Sequence, residues 1–467
     1  MSSSKSSRLA ALSALIVYAA AAQTQGSFSL LSYNVAGLPE SPTHLAELVS
    51  SGKPATNTPQ ISPRLKPYNI INVQEDFNYH AALYASDSHV YRTPTSGGAA
   101  IGSGLNTLSD FPYLDFERIK WKDCNASGGD CLTPKGFTYM RVRVSEGVWV
   151  DVYNLHTDAG SETGDVNARG SNFDQVTGYI QKWSVGMPVV VMGDTNARHS
   201  RPGDSENLRR ILSANALTDA WVANARGGSP PPSGSPALVC DFPFPAGTTQ
   251  QKMLSCEVVD KIMTRSSAAV TFEKTTFTNE HYAFVDSKGQ PLSDHYPISS
   301  RISWKLSSSI RLADPVGGPH GDPFNDIPRV LGGSLASVAK LTSITIRGAK
   351  RVDGISYTVK NPNGASTTTT HGGNGGDPAT LNLNAGERIV KVEACSDTYS
   401  SRTRVFFLKF TTSSGRTLQN GKASGDCATS TIPTDAGAGG AQWGLVGFWG
   451  RDGEELDRIG AIWGATY

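Results

Sequence analysis

Short apolar runs along this chain repeatedly stop at polar residues. Runs of β-branched residues bounded by Gly, Pro, Asn or Asp indicate buried strands. The runs occupy residues 30–31, 68–73, 150–155, 188–192 and 258–263, and a last run is opened by residues 293–297. The polar residues within or beside them are Asn34, Glu75, His156, Asp194, Asn196, Asp260, Asp294 and His295. The pattern predicts several strands that deliver carboxylates, imidazoles and amides to one rim.

Apolar residues also recur at helical spacing within residues 173–183 and 208–212. Helices are fewer than strands, which favours a layered α/β architecture with helices covering stacked sheets. Beyond residue 307 the chain is rich in Gly, Thr and Ser, with short β runs, and this composition predicts a separate all-β domain. We therefore expect a first domain at 23–306, a linker at 307–316 and a second domain at 317–467.

The N-terminus has the features of a secretory signal peptide, which we place at residues 1–22. Lys5 and Arg8 precede an apolar stretch that ends in small residues. The stretch is shorter than the roughly 20 residues of a membrane span, and no second stretch predicts an anchor. We expect a secreted, extracellular protein. A formal net charge of +1 over 467 residues gives no whole-chain field that would attract nucleic acid or anionic membrane.

Six cysteines fit an oxidising compartment. Proximity along the chain favours three local disulfides, although six cysteines allow 15 connectivities. A zinc site is the alternative, but no CxxC spacing supports it. The sequence of residues 125–127 is a glycosylation sequon, which predicts a glycoprotein. The favoured pairs are Cys124 with Cys131, Cys240 with Cys256, and Cys395 with Cys427.

Two further segments allow more than one interpretation. Residues 227–256 are rich in Pro, Gly and Ser and carry Phe242 and Phe244. They form either a surface loop held by a disulfide or an apolar lip that touches substrate or membrane. Lys135 and Arg141 would suit a phosphate, but the alternation of Arg141 with Arg143 is more typical of a solvated strand face.

In order along the chain, the blocks SYNVAG, VQED, YNLHTDAG, VMGDTNAR, VDKIM and SDHYP give residues 28–304 a resemblance to the endonuclease/exonuclease/phosphatase superfamily. The resemblance implies a four-layer α/β sandwich, two packed β-sheets flanked by helices, that hydrolyses phosphate esters. A hard cation on carboxylate oxygens would neutralise the anionic diester. The residues after His156 resemble the sphingomyelinase-like branch more than pancreatic-type deoxyribonucleases.

The resemblance also implies roles for individual residues. Glu75 would bind Mg²⁺, or another divalent cation such as Mn²⁺ or Ca²⁺, with Asn34 and Asp294 completing the site. Alone, Asn34 would also suit a turn, Glu75 a helix cap, and Asp194 with Asn196 an Asx-turn. The implied catalytic residues are His156 near the phosphate, Asp194 and Asn196 orienting water and phosphate, and His295 paired with Asp260.

Residues 317–467 resemble jacalin-related lectins, which are sugar-binding β-prisms. The resemblance rests on the Gly-rich stretches 317–321 and 371–376 and on a GxxxD pattern at 453–457. It implies a sugar loop in which Asp457 accepts from two hydroxyls, Glu455 and Leu456 contribute backbone, and Gly318 approaches from another loop. Family sites often carry an aromatic residue before the aspartate, which this chain lacks. Gly318 is internal, which favours mannose- or glucose-type ligands over galactose. A fold without lectin activity remains the alternative.

Together these features predict a secreted, metal-dependent phosphodiester hydrolase with a glycan-binding lectin module. A sphingomyelin-like lipid or another phosphodiester would be the substrate. One alternative is a secreted deoxyribonuclease or endonuclease. Another, from a different class, is a glycan-binding effector whose hydrolase domain is inactive. The oligomeric state is not predicted.

Overall fold

A computed structural model describes residues 23–39, 53–98, 101–331, 338–361, 363–434 and 442–466. The predicted signal peptide, residues 1–22, lies outside these ranges. Within them, no helix combines the length and the apolar character needed to cross a membrane.

The first domain is built mainly of strands, with a few helices between them in chain order. Its strands are β1 (Gln25–Asn34), β2 (Ile70–Gln74), β3 (Tyr91–Arg92), β4 (Asn106–Ser109), β5 (Tyr113–Lys120), β6 (Gly136–Ser145), β7 (Val148–His156), β8 (Val189–Asp194), β9 (Thr218–Asp219), β10 (Asp260–Arg265), β11 (Val270–Thr275), β12 (Thr278–Asn279) and β13 (Ile298–Leu306). Its helices are α1 (Pro54–Ile61), α2 (His80–Ala85), α3 (Thr163–Trp183), α4 (Asp204–Asn215), α5 (Ala220–Ala225) and α6 (Gln250–Leu254).

These strands form two sheets that pack face to face. One has the order β11-β13-β1-β2-β4-β3, with β12 beside β13, and the other has the order β5-β6-β7-β8-β10-β9. Alternation along β1 explains the layering, because successive side chains point to opposite faces. Phe28 and Leu30 lie in the cluster between the sheets, whereas Leu31 and Tyr33 pack outward with the α1 and α2 residues. Helices α3 and α4 cover the outer face of the second sheet. The predicted four-layer sandwich is confirmed.

The second domain consists of three antiparallel sheets, and this confirms the predicted β-prism. Tyr357, Phe410 and Phe448, one from each sheet, meet at its centre with ring centroids 5.6 and 6.0 Å apart. Its elements are β14 (Ile310–Leu312), β15 (Val316–Gly317), β16 (Asp322–Asn325), α7 (Ile327–Val330), β17 (Lys340–Gly348), β18 (Val352–Lys360), β19 (Ser366–Gly372), β20 (Asp377–Asn382), β21 (Ile389–Tyr399), β22 (Arg402–Thr412), β23 (Thr417–Gly421), β24 (Asp426–Thr431), β25 (Gln442–Asp452) and β26 (Leu456–Thr466).

The residues predicted as a linker, 307–316, are part of this fold. Within them, β14 pairs antiparallel with β26, the last strand of the described chain. The prism therefore begins before residue 317. Short runs such as residues 310–312 carry too little periodicity to separate a strand from a connection.

The two domains pack directly against each other. The rings of Trp149 and Trp449 lie 5.6 Å apart, and Arg143 forms an ion pair with Asp314 at 2.6 Å. The apolar cluster between the sheets of the first domain continues into the prism core. A cavity of about 630 Å³ lies at the junction, and none of the predicted catalytic residues lines it.

Candidate active site and glycan loop

Three of the predicted catalytic residues share one row across neighbouring strands. Asp194, at the end of β8, is the register partner of His156 on β7 and of Asp260 on β10. Gly193, before Asp194, has a φ of 152°, and a Cβ there would lie 2.0 Å from the Leu155 carbonyl oxygen. Only glycine fits this close approach of two backbones. The row therefore depends on a glycine as well as on the charged residues.

Asn34 connects the two sheets at the same rim. Its amide nitrogen donates to Glu75 Oε1 at 3.1 Å and to Asp194 Oδ2 at 3.2 Å, while its oxygen accepts from the Ala36 N–H. Glu75 has a left-handed φ of 57°, a conformation that is uncommon for non-glycine residues and is enriched at active sites. Burial raises the pKa of the Glu75 carboxyl, and the charge of Asp294 raises it further. The rim thus carries a carboxylate with few protein partners.

His295 lies between two carboxylates. Its Nδ1 is 2.9 Å from Asp260 Oδ2, and its Nε2 is 3.6 Å from Asp194 Oδ2. Burial disfavours the imidazolium, yet the charges of Asp260 and Asp194 raise the pKa of His295 well above its usual value. Ligand atoms of these three residues lie within 4.8 Å of one another, a spacing that also suits a cation.

His156 differs from His295 in its charge. Its Nε2 lies 3.3 Å from Asp194 Oδ2, and burial lowers its pKa to about 3, which makes it neutral near pH 7. Burial would raise the pKa of Asp194, but the charge of His295 lowers it. Among the described residues, neither His156 Nδ1 nor Asp260 Oδ1 has a hydrogen-bond partner.

The remaining predicted residues lie at the same rim. Asn196 has a left-handed φ of 47°, its N–H donates to Asp194 Oδ1 at 2.9 Å, and its amide donates to the Thr157 carbonyl. Asp294 is exposed, and it accepts from the Ser293 hydroxyl at 3.3 Å. The structure therefore brings together all eight predicted metal and catalytic residues.

A set of buried amide side chains, not predicted from the sequence pattern, supports this rim. Gln74 donates to Asn154 Oδ1 at 2.8 Å, and Asn154 donates to the carbonyls of Val73 and Asn106. Gln74 and Asn154 are at most 1% exposed, and their bonds tie β2 of one sheet to β7 of the other. The available signal was the presence of amide residues within otherwise apolar strands.

Arg141 plays no part in the site. The prediction that Arg141 and Arg143 form a solvated face is wrong for Arg141, which is 4% exposed and forms a two-point ion pair with Asp151 at 2.7 and 3.0 Å. Arg143 instead contacts the second domain. Lys135 pairs with Asp130, and its charge contributes to the lowered pKa of His156.

The disulfides and the proline-rich segment match their predictions in part. All three predicted disulfides are present. In the segment 227–256, Phe244 is buried whereas Phe242 is 45% exposed, 5.0 Å from the ring of Tyr296. The sequon residue Asn125 uses its amide nitrogen to donate to Asp165 Oδ1 at 2.6 Å.

The predicted glycan loops also meet in space. The hairpin between β25 and β26 carries Glu455, Leu456 and Asp457, and the Gly318 N–H donates to the Asp457 carbonyl at 2.8 Å. A Cβ at Gly373 would lie 2.1 Å from the Glu454 carbonyl oxygen, so only glycine permits this approach. The two Gly-rich loops therefore close around the hairpin.

The side chains of this hairpin are already paired. Arg404 lies 2.6 Å from Asp457 Oδ1 and 3.0 Å from Glu455 Oε2, and Arg351 also pairs with Glu455. Asp457 is 2% exposed, and burial raises its pKa while Arg404 opposes the shift. Neither arginine was predicted, because Arg404 on β22 and Arg351 in the turn before β18 are both far along the chain from the hairpin.

Comparisons with known protein families agree with this architecture. Residues 43–222 match the Endonuclease/Exonuclease/phosphatase family 2, and residues 313–462 match the Jacalin-like lectin domain. The chain therefore contains an endonuclease/exonuclease/phosphatase domain, matched over residues 43–222, followed by a jacalin-like lectin domain, matched over residues 313–462. The first match contains Glu75, His156 and Asp194, while Asp260 and His295 lie beyond it.

Individual proteins resemble one domain or the other. A sphingomyelinase of Mycobacterium tuberculosis is 39% identical over 280 residues, which are 58% of this chain and 52% of that protein. The chain thus spans about half the length of the curated relatives it matches. The solved sphingomyelinase C of Streptomyces griseocarneus is 18% identical, with a TM-score of 0.39, over 59% of this chain and 99% of that one. A mannose binding jacalin related lectin from Ananas comosus is 20% identical, with a TM-score of 0.28, over 34% and 99%.

Proposed function

We propose that this protein is a secreted, divalent-metal-dependent phosphodiester hydrolase that acts on a sphingomyelin-like lipid and carries a glycan-binding module. The observation that carries the proposal is the row of His156, Asp194 and Asp260 joined to Glu75 through Asn34. The 39% identity to a mycobacterial sphingomyelinase supports the substrate class. Three disulfides among the described residues support an oxidising, extracellular location.

The rim suits a hard divalent cation. Glu75 is a half-buried carboxylate whose pKa is raised by desolvation and by Asp294, so a cation would relieve an existing electrostatic cost. Carboxylate oxygens are the ligands that Mg²⁺ prefers. Glu75 would hold the ion, with Asp294 and Asn34 beside it. When bound, such an ion would offset the negative charge of the phosphate oxygens.

The protein side chains divide the proton transfers between them. Asp194 stays ionised because the charged imidazole of His295 lowers its pKa, so it can orient a water molecule and accept its proton. His295 is protonated and held by Asp260 at 2.9 Å, so it can donate to the leaving oxygen. His156 is neutral and can hydrogen-bond a phosphate oxygen without adding charge.

An aromatic surface beside the site favours a lipid over a nucleic acid. Tyr296 follows His295 directly, its ring lies 5.0 Å from Phe242 and 4.6 Å from Phe244, and Phe242 is 45% exposed. The exposed Phe242 ring, packed on Tyr296, therefore offers apolar surface beside the rim to a ligand with an apolar part.

A panel of substrates tests the proposal. Sphingomyelin vesicles, supercoiled plasmid DNA and soluble bis(nitrophenyl) phosphate are each incubated with Mg²⁺ or with EDTA, and released products are measured. We expect sphingomyelin hydrolysis that EDTA abolishes and added Mg²⁺ restores. Glu75→Gln should raise the Mg²⁺ concentration for half-maximal rate by roughly tenfold or more, since it removes the charged ligand. Glu273→Gln, an exposed carboxylate on β11 of the same domain, is the matched control.

The outcomes separate the alternatives. Cleavage of plasmid DNA but not of sphingomyelin would make the protein a nuclease and reject the lipid substrate. Absence of turnover on all three substrates with every divalent cation would support the inactive-effector alternative instead.

A further inference from the structure

The hairpin between β25 and β26, residues 451–458, is called the glycan hairpin here, and its first and last residues form its stem. The stem carries two arginines that face each other. Arg451 and Arg458 are register partners on β25 and β26, and the residues between them form the tip with Glu455 and Asp457. Like charges placed directly opposite on antiparallel strands destabilise the pair. Both arginines are about 5% exposed, so water screens their repulsion poorly. A nearby anionic group is therefore required to offset the repulsion between the two guanidinium groups.

The anion comes from the other domain. Asp115, on β5 of the hydrolase domain, accepts from Arg451 at 2.9 Å and from Arg458 at 2.7 and 2.8 Å. Its side chain is 2% exposed. Burial alone would raise the pKa of Asp115, but the charges of Arg458 and Arg451 lower it below its usual range.

The backbone at Asp115 is shaped for this contact. Its φ is 59°, in the left-handed region, and the register of β5 with β6 shifts between Leu114 and Glu117. Such a bulge re-aims a side chain that a regular strand would direct elsewhere. Non-glycine residues hold this conformation where surrounding contacts over-determine it, and here two arginines do so.

The same contact reaches a second glycan loop. Arg451 donates to the Gly321 carbonyl at 3.3 Å from Nε and 3.2 Å from Nη2, and its guanidinium lies 4.6 Å from the Trp183 ring. Trp183 ends α3 of the hydrolase domain. Residues 318–321 and the hairpin are therefore both held from that domain.

We infer that Asp115 of the hydrolase domain is a positioning residue of the lectin site, which the lectin domain cannot complete alone. By accepting hydrogen bonds from both stem arginines and offsetting part of their repulsion, it fixes the hairpin that presents Glu455 and Asp457. Where this concerns glycan binding, it rests on the proposed function of the lectin module.

Hydrogen–deuterium exchange on the full chain tests the inference without a ligand. In Asp115→Asn, amides of residues 451–458 should exchange roughly tenfold faster or more, while those of β7 and β8 stay unchanged. Asp314→Asn is the matched control, because it removes another interdomain carboxylate whose pair with Arg143 is exposed. Adding Arg458→Met to Asp115→Asn should restore slow exchange in part, because one repelling charge is gone. Unchanged exchange in Asp115→Asn would overturn the inference, as would equal effects in Asp314→Asn.

Two further measurements complete the test. Retention on mannan-agarose reports on the lectin domain, and hydrolysis of bis(nitrophenyl) phosphate reports on the hydrolase domain. We expect Asp115→Asn to lose retention while keeping hydrolysis within about twofold of the parent. If the parent protein is not retained on mannan, mannose-type binding fails, while the exchange data still decide the role of Asp115. If Asp115→Asn retains mannan binding equal to the parent, the positioning role is refuted.

Discussion

The carboxylates of the catalytic rim and those of the glycan hairpin both lie at strand ends, but their partners differ. At the rim, the Glu75 carboxylate accepts from the Asn34 amide, and Asp260 Oδ1 is without a partner among the described side chains. At the hairpin, Asp457 and Glu455 are both paired with Arg404. The rim leaves negative charge to be balanced, whereas the carboxylates of the hairpin are already paired with an arginine of the same domain.

This difference distinguishes two kinds of ligand. A group of buried, under-paired carboxylates is suited to a cation, because the ion adds attraction without displacing a protein partner. A carboxylate already held by a guanidinium must exchange that partner for the hydroxyls of a sugar. The motif for each site is present in the sequence, yet the motif alone does not reveal whether its carboxylate is available.

The largest effect is expected from Asp194→Asn. The amide keeps the acceptor for the Asn196 N–H but loses the charge that faces His156 and His295. We expect the turnover of bis(nitrophenyl) phosphate to fall between about 10²- and 10⁴-fold. Asp314→Asn, with an exposed carboxylate, should retain full turnover. Equal turnover in both variants, with unchanged circular dichroism, would remove Asp194 from the chemistry.

Each region places one histidine between two carboxylates: His295 at the rim and His371 in the lectin domain. A second test uses His371. In the lectin domain, His371 Nε2 lies 3.0 Å from Asp326 and Nδ1 lies 3.4 Å from Asp452, with Arg329 4.0 Å from Asp326. Burial disfavours its charge, but the bonds to Asp326 and Asp452 raise its pKa to about 9. The stability that charged His371 contributes to the fold is fully present below its unfolded-state pKa, near 6.5. It is lost as the pH rises through its folded-state pKa of about 9.

Denaturant unfolding between pH 6 and 10 measures this contribution. The free energy of unfolding of the lectin transition should fall by up to about 3 kcal/mol across that range in the parent. In His371→Gln it should fall much less, because the group that releases the proton is absent. Parallel pH curves for the two proteins would contradict the assignment.

The smallest effect is expected from Arg404→Gln. In this variant Asp457 no longer has to give up a charge-assisted bond, worth about 1.5 kcal/mol or more, before it can accept from a sugar hydroxyl. Binding to mannan should therefore tighten by roughly tenfold. Arg402→Gln, exposed on the same strand, is the matched control. Weaker binding in Arg404→Gln would show that the guanidinium itself contacts the sugar, and the contrast between the two regions would then disappear.

Much of the fold was predictable because alternation and helical spacing reflect burial directly. Strand ends also located His156, Asp194 and Asp260, since neighbouring strands bring their ends to one edge. The pairing of Asp457 with Arg404 was not predictable, because it joins residues 53 positions apart on different sheets. Arg141 was misplaced for a related reason: an alternating charge predicts exposure unless a buried partner such as Asp151 is known.

Strand β14 determines where the chain can be cut between its two domains. Its three residues, Ile310–Leu312, cover one edge of β26 although they precede the region matched by the lectin family. A lectin fragment cut at residue 317 would bare that edge, and a bare edge is a template for pairing with another copy. Recombination that exchanged the lectin for another would therefore have to carry the segment from residue 310 onward.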